Sequence, residues 1–489
     1  MKISISYPPL PSEKGVPLLS QNRQFQYFQS PTYIYPVVPA YAATMLGNAG
    51  YGVVWDDGIA EEKTYNQWLN DLENNNPDVI MIETKTPVVK KHWSITSDIK
   101  KVLPSSKVVL VGDHVTALPL ESMEQSKVDF VLTGGDYDFL LLNLADYLSD
   151  KATQLESGIW YRESGSIKNT GQFKLNHSLD DLPHINRDLT KWQLYNERNG
   201  NFKVTPGAYT MAGRDCWWRK DGGCTFCSWP TLYPTFRVMK PEHLADEIGL
   251  LIKRYNVKSV FDDTGCFPAG EWLRCFANLM IEREYNKKVQ FSCNMRFGAL
   301  KQEDYRLMKK AGFRTLLFGI ESGSQATLDR LNKGTTINNI LNECKIPRRE
   351  GLEPHVTIMV GYPWETRQEA LSTLNVAKTL MQKGWAVTLQ STIVTPYPGS
   401  KLYAQALENG WFRVDPKDYE RFDMKEPVMT TPDMTPQEVM NLCDEVYKVF
   451  LTPQYMFRQL IRIRSLKDLK YSIKGATKVL GHVKDFGEN

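Results

Sequence analysis

The sequence predicts an α/β protein made of two successive strand–helix alternations and a mainly helical end. Three observations predict it. Short apolar runs alternate with helix-length segments through residues 1–150. A second alternation of the same kind runs from about 205 to 400. A chain of 489 residues with 42% hydrophobic content has room for two or three domains, each with its own core.

In the first alternation, strand-like runs lie at 52–55, 79–82, 108–111 and 130–132, and helical segments at 39–49, 62–72, 95–102 and 139–148. Short apolar strands separated by helices imply a parallel sheet covered on both faces. Such an open, doubly wound sheet of the flavodoxin-like (Rossmann) type takes ligands beyond the carboxyl ends of its strands. Those ends carry Asp56-Asp57-Gly58, Glu83-Thr84-Lys85, Gly112-Asp113-His114 and Thr133-Gly134-Gly135. Residues 1–150 thus form one expected domain. Residues 151–200 read as a linker, polar over 161–171 like a hairpin.

In the second alternation, strands are expected near 209–212 and at 259–261, 289–293, 315–319, 356–360 and 388–394. Helices are expected at 244–255, 271–284, 302–311, 325–331, 337–349 and 367–382. Repeated β/α units over 201–405 predict a full or partial TIM-like barrel, with its active site at the carboxyl ends of the strands. Residues 406–489 read as mainly helical. Their end is basic, with Arg458, Arg462, Arg464, Lys467, Lys470, Lys474 and Lys478. That pattern fits a solvated helix face, and also a docking patch for an acidic electron-transfer protein.

Lys plus Arg total 59 against 56 for Asp plus Glu, which gives no general argument for nucleic acid or membrane binding. No apolar run approaches the roughly 20 residues of a membrane span. The N-terminus lacks a basic head followed by an apolar stretch, so no secretory signal is expected and the protein is assigned to the cytoplasm. Eight cysteines in so long a chain are no disulfide framework; clustered thiols in a reducing compartment suggest metal or catalysis.

Three of them cluster. Cys216, Cys224 and Cys227 form C-x7-C-x2-C, with no fourth cysteine close by in sequence. A structural zinc site wants four closed ligands. A four-iron cluster held by three thiolates keeps one iron open for another molecule. The trio therefore points to chemistry, with zinc plus a remote histidine as the alternative.

Several further stretches carry a family resemblance. Gly112-Asp113-His114-Val115-Thr116-Ala117-Leu118-Pro119 resembles a Gly-x-His-x-Thr-x-x-Pro turn, and Val128-Asp129-Phe130-Val131-Leu132-Thr133-Gly134-Gly135-Asp136 a D-x-V-x-x-G-E-G-E segment, departing at Gly135 and Asp136. Asp181-Leu182-Pro183 with Arg187-Asp188-Leu189 resembles the linker of the same family. Phe261-Asp262-Asp263-Thr264 resembles its D-D-x-F strand end, with Gly265 in the aromatic's place. Phe318-Gly319-Ile320-Glu321-Ser322-Gly323-Ser324 matches F-G-I-E-S-G-S, Gly361-Tyr362-Pro363-Trp364-Glu365-Thr366 resembles G-x-P-G-E-T, and Pro396-Tyr397-Pro398-Gly399-Ser400 resembles P-x-P-G-T. In this order over roughly 35–410, the chain resembles the cobalamin-binding branch of the radical S-adenosylmethionine (SAM) enzymes.

The resemblance implies an N-terminal cobalamin-binding domain, a radical SAM barrel and a [4Fe-4S] cluster on Cys216, Cys224 and Cys227. One departure is the first cysteine gap, three residues in the family and seven here; closing a longer loop adds little entropy. Implied SAM contacts are Asp262, Asp263, Thr264, Arg296, Glu321 and Gly361; implied cobalamin contacts are Gly112, His114, Thr116 and Gly134. Asp262 and Asp263 also fit helix capping, Arg296 a structural ion pair, and His114 loop packing. Cys266 follows the strand-end aspartates and is otherwise expected in the core. The implied reaction is methylation of an unactivated carbon or phosphorus centre in a small molecule, with flavodoxin or ferredoxin as reductant. Cyclisation or rearrangement, with or without cobalamin, and a cobalamin- or redox-sensing binding protein are the alternatives.

Overall fold

Val79, Ile80, Met81 and Ile82 are almost fully shielded from solvent, as a strand covered on both faces requires. The computed structural model that shows this describes residues 1–19, 25–29, 31–196, 199 and 201–462. The strands of its first half are β1 (Lys2–Tyr7), β2 (Val16–Leu18), β3 (Gln26–Phe28), β4 (Gly52–Asp57), β5 (Val79–Glu83), β6 (Lys107–Val111), β7 (Phe130–Leu132), β8 (Ile159–Glu163) and β9 (Ser166–Asn169). The main sheet has the order β4-β1-β5-β6-β7-β8-β9, and β2 pairs separately with β3. Pairing is parallel from β4 to β7 and antiparallel from β7 to β9.

Two features here depart from the sequence reading. Strand β1 lies inside the sheet although its serines dilute the apolar run. Burial of Ser6 is offset by hydrogen bonds: its Oγ accepts from Trp68 Nε1 (2.9 Å) and donates to Asp56 Oδ2 (3.3 Å). The expected linker also begins as sheet, since β8 and β9 extend its edge through pairs such as Leu132 with Ile159.

The chain crosses over β1 between β4 and β5, so the topological switch point lies between β1 and β5. There Tyr7 donates to Glu83 Oε2 (2.5 Å), with both residues buried. Burial pushes the Glu83 carboxyl up to about 7.

The second sheet comprises β10 (Gly207–Thr210), β13 (Ser259–Asp262), β14 (Gln290–Met295), β15 (Phe313–Glu321), β16 (Glu353–Val360) and β17 (Thr388–Ile393), all parallel and in chain order. Strands β10 and β17 are its edges, so this is a partial barrel. A two-stranded ribbon, β11 (Gly213–Arg214) with β12 (Arg237–Val238), flanks the cysteine loop. The C-terminal part becomes helical later than expected. Pro416, Pro427 and Pro432 interrupt residues 409–434. Phe422, Val428 and Met429 there pack with Tyr362 and Tyr397 of the barrel loops. Helices then run over Pro436–Glu445 and Pro453–Arg462, and the basic run beyond lies outside the described residues. Among the described residues, no helix is long and apolar enough to cross a membrane.

Buried charges join the β11–β12 ribbon to the segment that follows β7. Arg214 Nη1 donates to Asp136 Oδ1 (2.8 Å), Asp138 Oδ1 (2.9 Å) and Gly135 O (3.1 Å), and Nη2 pairs with Asp138 Oδ2. Arg237 also reaches Asp136 (2.5 Å). The departures at Gly135 and Asp136 are explained here. A side chain at Gly135 would start 1.8 Å from the Tyr233 ring, and Asp136 is the shared counter-ion.

Arg214→Ala strands Asp138 as a buried, uncompensated carboxylate, so we expect a loss of about 3–5 kcal/mol in urea unfolding. Glu83 gives a pH dependence. The folded chain holds its proton to about pH 7, the unfolded chain only to its ordinary 4.5. This contribution to stability is therefore complete below about 4.5 and lost as pH rises through about 7, by roughly 3 kcal/mol. Unfolding of Glu83→Gln between pH 5 and 8 is expected to show a shallower decline than that of the parent.

Candidate functional site at the mouth of the partial barrel

The loop after β10 carries all three clustered cysteines, at the carboxyl end of the barrel strands where such folds place their chemistry. Its long spacer is ordered. Trp217–Asp221 form one 3-10 turn, ended by Gly222. Asp215 grips Arg219 through two hydrogen bonds (2.5 and 2.9 Å). Asn332, in the turn after the helix Gln325–Arg330, donates to Asp221 O (2.8 Å) and Gly223 O (2.9 Å), and accepts through its own carbonyl from Trp218 Nε1 (2.7 Å). The Cys224–Cys227 half is tied to the same turn by Thr225 N to Leu331 O (3.0 Å). The insertion thus folds back on a neighbouring turn and leaves the cysteines on one loop.

All three thiols are half-buried. A hydrogen bond with Cys266 draws Cys216 down to about 7, while burial pushes Cys227 up to about 12. Cys266 is itself buried in the core and meets Cys216 there. Among the described residues, no three His, Cys, Asp or Glu side chains meet at the spacing of one metal ion. A cluster of several irons spaces its thiolates farther apart, each on its own iron.

Arg296 follows β14 and is 6% exposed. Its Nη1 contacts Cys224 Sγ at 3.6 Å, and its guanidinium lies over the Trp218 ring at 4.1 Å. Its Nε and Nη2 are buried and have no hydrogen-bond partner among the described residues. Glu321 ends β15 with φ 67°, and its Oε1 accepts from Lys333 Nζ (2.8 Å). Burial opposes the charge on Lys333, but Glu321 and Cys224 outweigh it and raise the ammonium above its usual range. Lys333 escaped sequence reading because Asn332-Lys333-Gly334 looks like any polar turn.

Other expected SAM contacts are already engaged. Asp262 is fully buried; its Oδ2 accepts from Thr210 Oγ1 (3.0 Å) and Ala212 N (2.8 Å), and its Oδ1 from Thr264 N (3.1 Å). Thr264 Oγ1 accepts from Gly213 N (3.0 Å). Asp262 and Thr264 thus bond the backbone that leads into the cysteine loop. Asp263 is buried beside them, and its amide donates to Thr210 O (2.8 Å). The Gly361 amide donates to Glu365 Oε2 (2.7 Å), and its α-carbon backs onto Val439.

The expected cobalamin residues divide. Gly112, Thr116 and Gly134 converge at the ends of β6 and β7: Thr116 Oγ1 donates to Gly112 O (2.7 Å) and accepts from Gly134 N (3.1 Å). His114 does not join them. It is fully buried, 3.2 Å from Thr86 Oγ1 and edge-on to Tyr419 at 4.7 Å, so it packs the first domain against the C-terminal part.

Comparison with known proteins bears on this geometry. Residues 213–377 match the radical SAM superfamily. The chain is 26% identical over 450 residues to an uncharacterized methyltransferase of Pyrococcus horikoshii, covering 91% of this chain and 94% of that one. It is 23% identical to the anaerobic magnesium-protoporphyrin IX monomethyl ester cyclase of Cereibacter sphaeroides, over 86% of this chain and 68% of that one. Among solved structures, the cobalamin-dependent SAM radical enzyme OxsB superposes with a TM-score of 0.69 at 15% identity, over 98% of this chain and 71% of that chain. The radical SAM methyltransferase TsrM of Kitasatospora setae gives 0.67 at 12%, over 92% and 88%. These two likenesses establish the shared fold.

Asn332→Ala removes the amide that fastens two carbonyls of the spacer. Hydrogen exchange of amides 217–223 is expected to quicken while the barrel strands stay protected, with a global loss of about 1–3 kcal/mol.

Proposed function

We propose that this chain, a radical SAM superfamily protein with the fold of the cobalamin-dependent branch, cleaves S-adenosylmethionine at a [4Fe-4S] cluster and methylates an unactivated carbon or phosphorus centre of a small molecule. Arg296 is the observation that carries this reading. A buried guanidinium touches one clustered thiol and keeps the Nε–Nη2 edge of its fork without a partner. Such an edge suits a carboxylate in two parallel hydrogen bonds, and SAM bound at an open iron beside Cys224 brings one.

The remaining residues fit the same groups. Cys216, Cys224 and Cys227 would hold three irons and leave the fourth open. Lys333 and Arg296 set positive charge beside the thiols, which favours added negative charge there. Phe226 belongs to the apolar cluster with Tyr362, Tyr397 and Phe422, which limits water at the thiols. On the cobalamin side, the ends of β6 and β7 abut the loop after Cys227, where Gly135 N donates to Leu232 O (3.0 Å). The ligand edge of the first sheet thus meets the cysteine loop, which suits a group held between them. When bound, the cluster supplies the electron that turns SAM into a 5'-deoxyadenosyl radical, and methylcobalamin supplies the methyl group. The chain's part is to hold, orient and shield them. The electron donor in this reading is a flavodoxin or ferredoxin.

Methyltransferase names among the relatives favour methyl transfer. The cyclase relative, matched over 86% of this chain, favours ring formation as the second reading.

Anaerobic reconstitution with hydroxocobalamin tests the proposal. About four irons and one cobalt per chain, with 5'-deoxyadenosine on reduction, are the expected result. Cys224→Ala is expected to lose most of the iron and all SAM cleavage while keeping its secondary structure. Zinc in place of iron, or a full cluster in Cys224→Ala, would sink the reading.

A further inference from the structure

We infer that Trp218, contributed by the spacer between Cys216 and Cys224, is a positioning residue that aims Arg296 at the carboxylate of S-adenosylmethionine. This rests on the function proposed above and adds a role for the spacer itself. A buried guanidinium is ordinarily paired with a carboxylate. Among the described residues, Arg296 has no such partner; it has Cys224 Sγ at 3.6 Å and the Trp218 ring at 4.1 Å. A ring face attracts the cation without using its in-plane N–H groups. It therefore holds the plane of the fork and leaves the Nε–Nη2 edge free.

The ring is fixed in turn. Its Nε1 donates to Asn332 O (2.7 Å). Gly334 packs closely against the ring: a side chain there would start 2.2 Å from it, on a backbone at φ 63°. Trp218 sits on the 3-10 turn Trp217–Asp221, which a spacer of seven residues accommodates and one of three does not. The line of support runs from Asn332 and Gly334 through Trp218 to Arg296, and ends at an unfilled pair of donors.

Equilibrium binding of SAM to the reconstituted, oxidised holoenzyme, with iron per chain on the same samples, tests this. Trp218→Ala and Trp218→Leu are expected to bind SAM about tenfold more weakly with unchanged iron, and Trp218→Phe to stay within about threefold of the parent. Leucine fills the space without a π-face, so parent-like binding by Trp218→Leu would overturn the inference. Loss of iron in step with loss of SAM in both variants would overturn it too, in favour of a structural role. Arg296→Ala separates this from the broader reading. If it binds weakly while Trp218→Ala binds normally, only the role of Trp218 falls. If it binds normally, or the parent binds no SAM, the site reading itself falls.

Discussion

Everything at the barrel mouth depends on one buried guanidinium. Arg214 lies two residues before the first clustered cysteine and is 1% exposed. It is held by Asp136 and Asp138, which follow β7 of the first sheet. Buried charges are unforgiving of displacement, since each is stabilised only by its partner at close range. The pairing therefore sets the cysteine loop against the strand ends of the first sheet. A second buried pair, Arg187 with Glu247 (2.7 Å), ties the segment after the β8–β9 hairpin to the barrel. Arg187 also donates to Tyr209 O (2.8 Å) and lies over Tyr35 of the first domain.

Two of the three cations around the cysteine loop are answered by carboxylates. Arg219 is answered by Asp215, and Lys333 by Glu321. Arg296 alone of these three cations has no carboxylate among the described residues, and it touches a thiol. A site arranged in this way is electrostatically incomplete without an anion. The unusual cysteine spacing belongs to the same arrangement, because its 3-10 turn supplies both Arg219 and Trp218.

The parts of the fold legible in sequence were those with local periodicity. The six barrel strands and the parallel run from β4 to β7, β1 excepted, follow from apolar runs separated by helical segments. Strand β1 was missed because Ser4 and Ser6 interrupt its pattern, and Trp68 makes burial of Ser6 acceptable only in the folded chain. The β8–β9 hairpin was visible as a hairpin, but its attachment to β7 is a long-range pairing. In the site, Arg296 and Glu321 lie where the barrel ends suggested. The neighbours that bond Asp262, Thr264 and His114 were not legible, since a strand-end carboxylate or loop histidine reads the same whether it faces a ligand or a neighbouring loop.

By itself, the sequence determined the order of elements, the cysteine trio and the turns at the strand ends, because each is a property of residues close along the chain. Tertiary structure decided which polar groups remain open. Asp262 accepts from Thr210, Ala212 and Thr264, whereas Arg296 kept two donors open. It also brought Lys333 to Glu321 and Trp218 onto Arg296, from different loops of the barrel. The physical reason is that a hydrogen-bond group's availability depends on every donor and acceptor within about 3 Å of it. Those neighbours are chosen by packing, not by sequence adjacency.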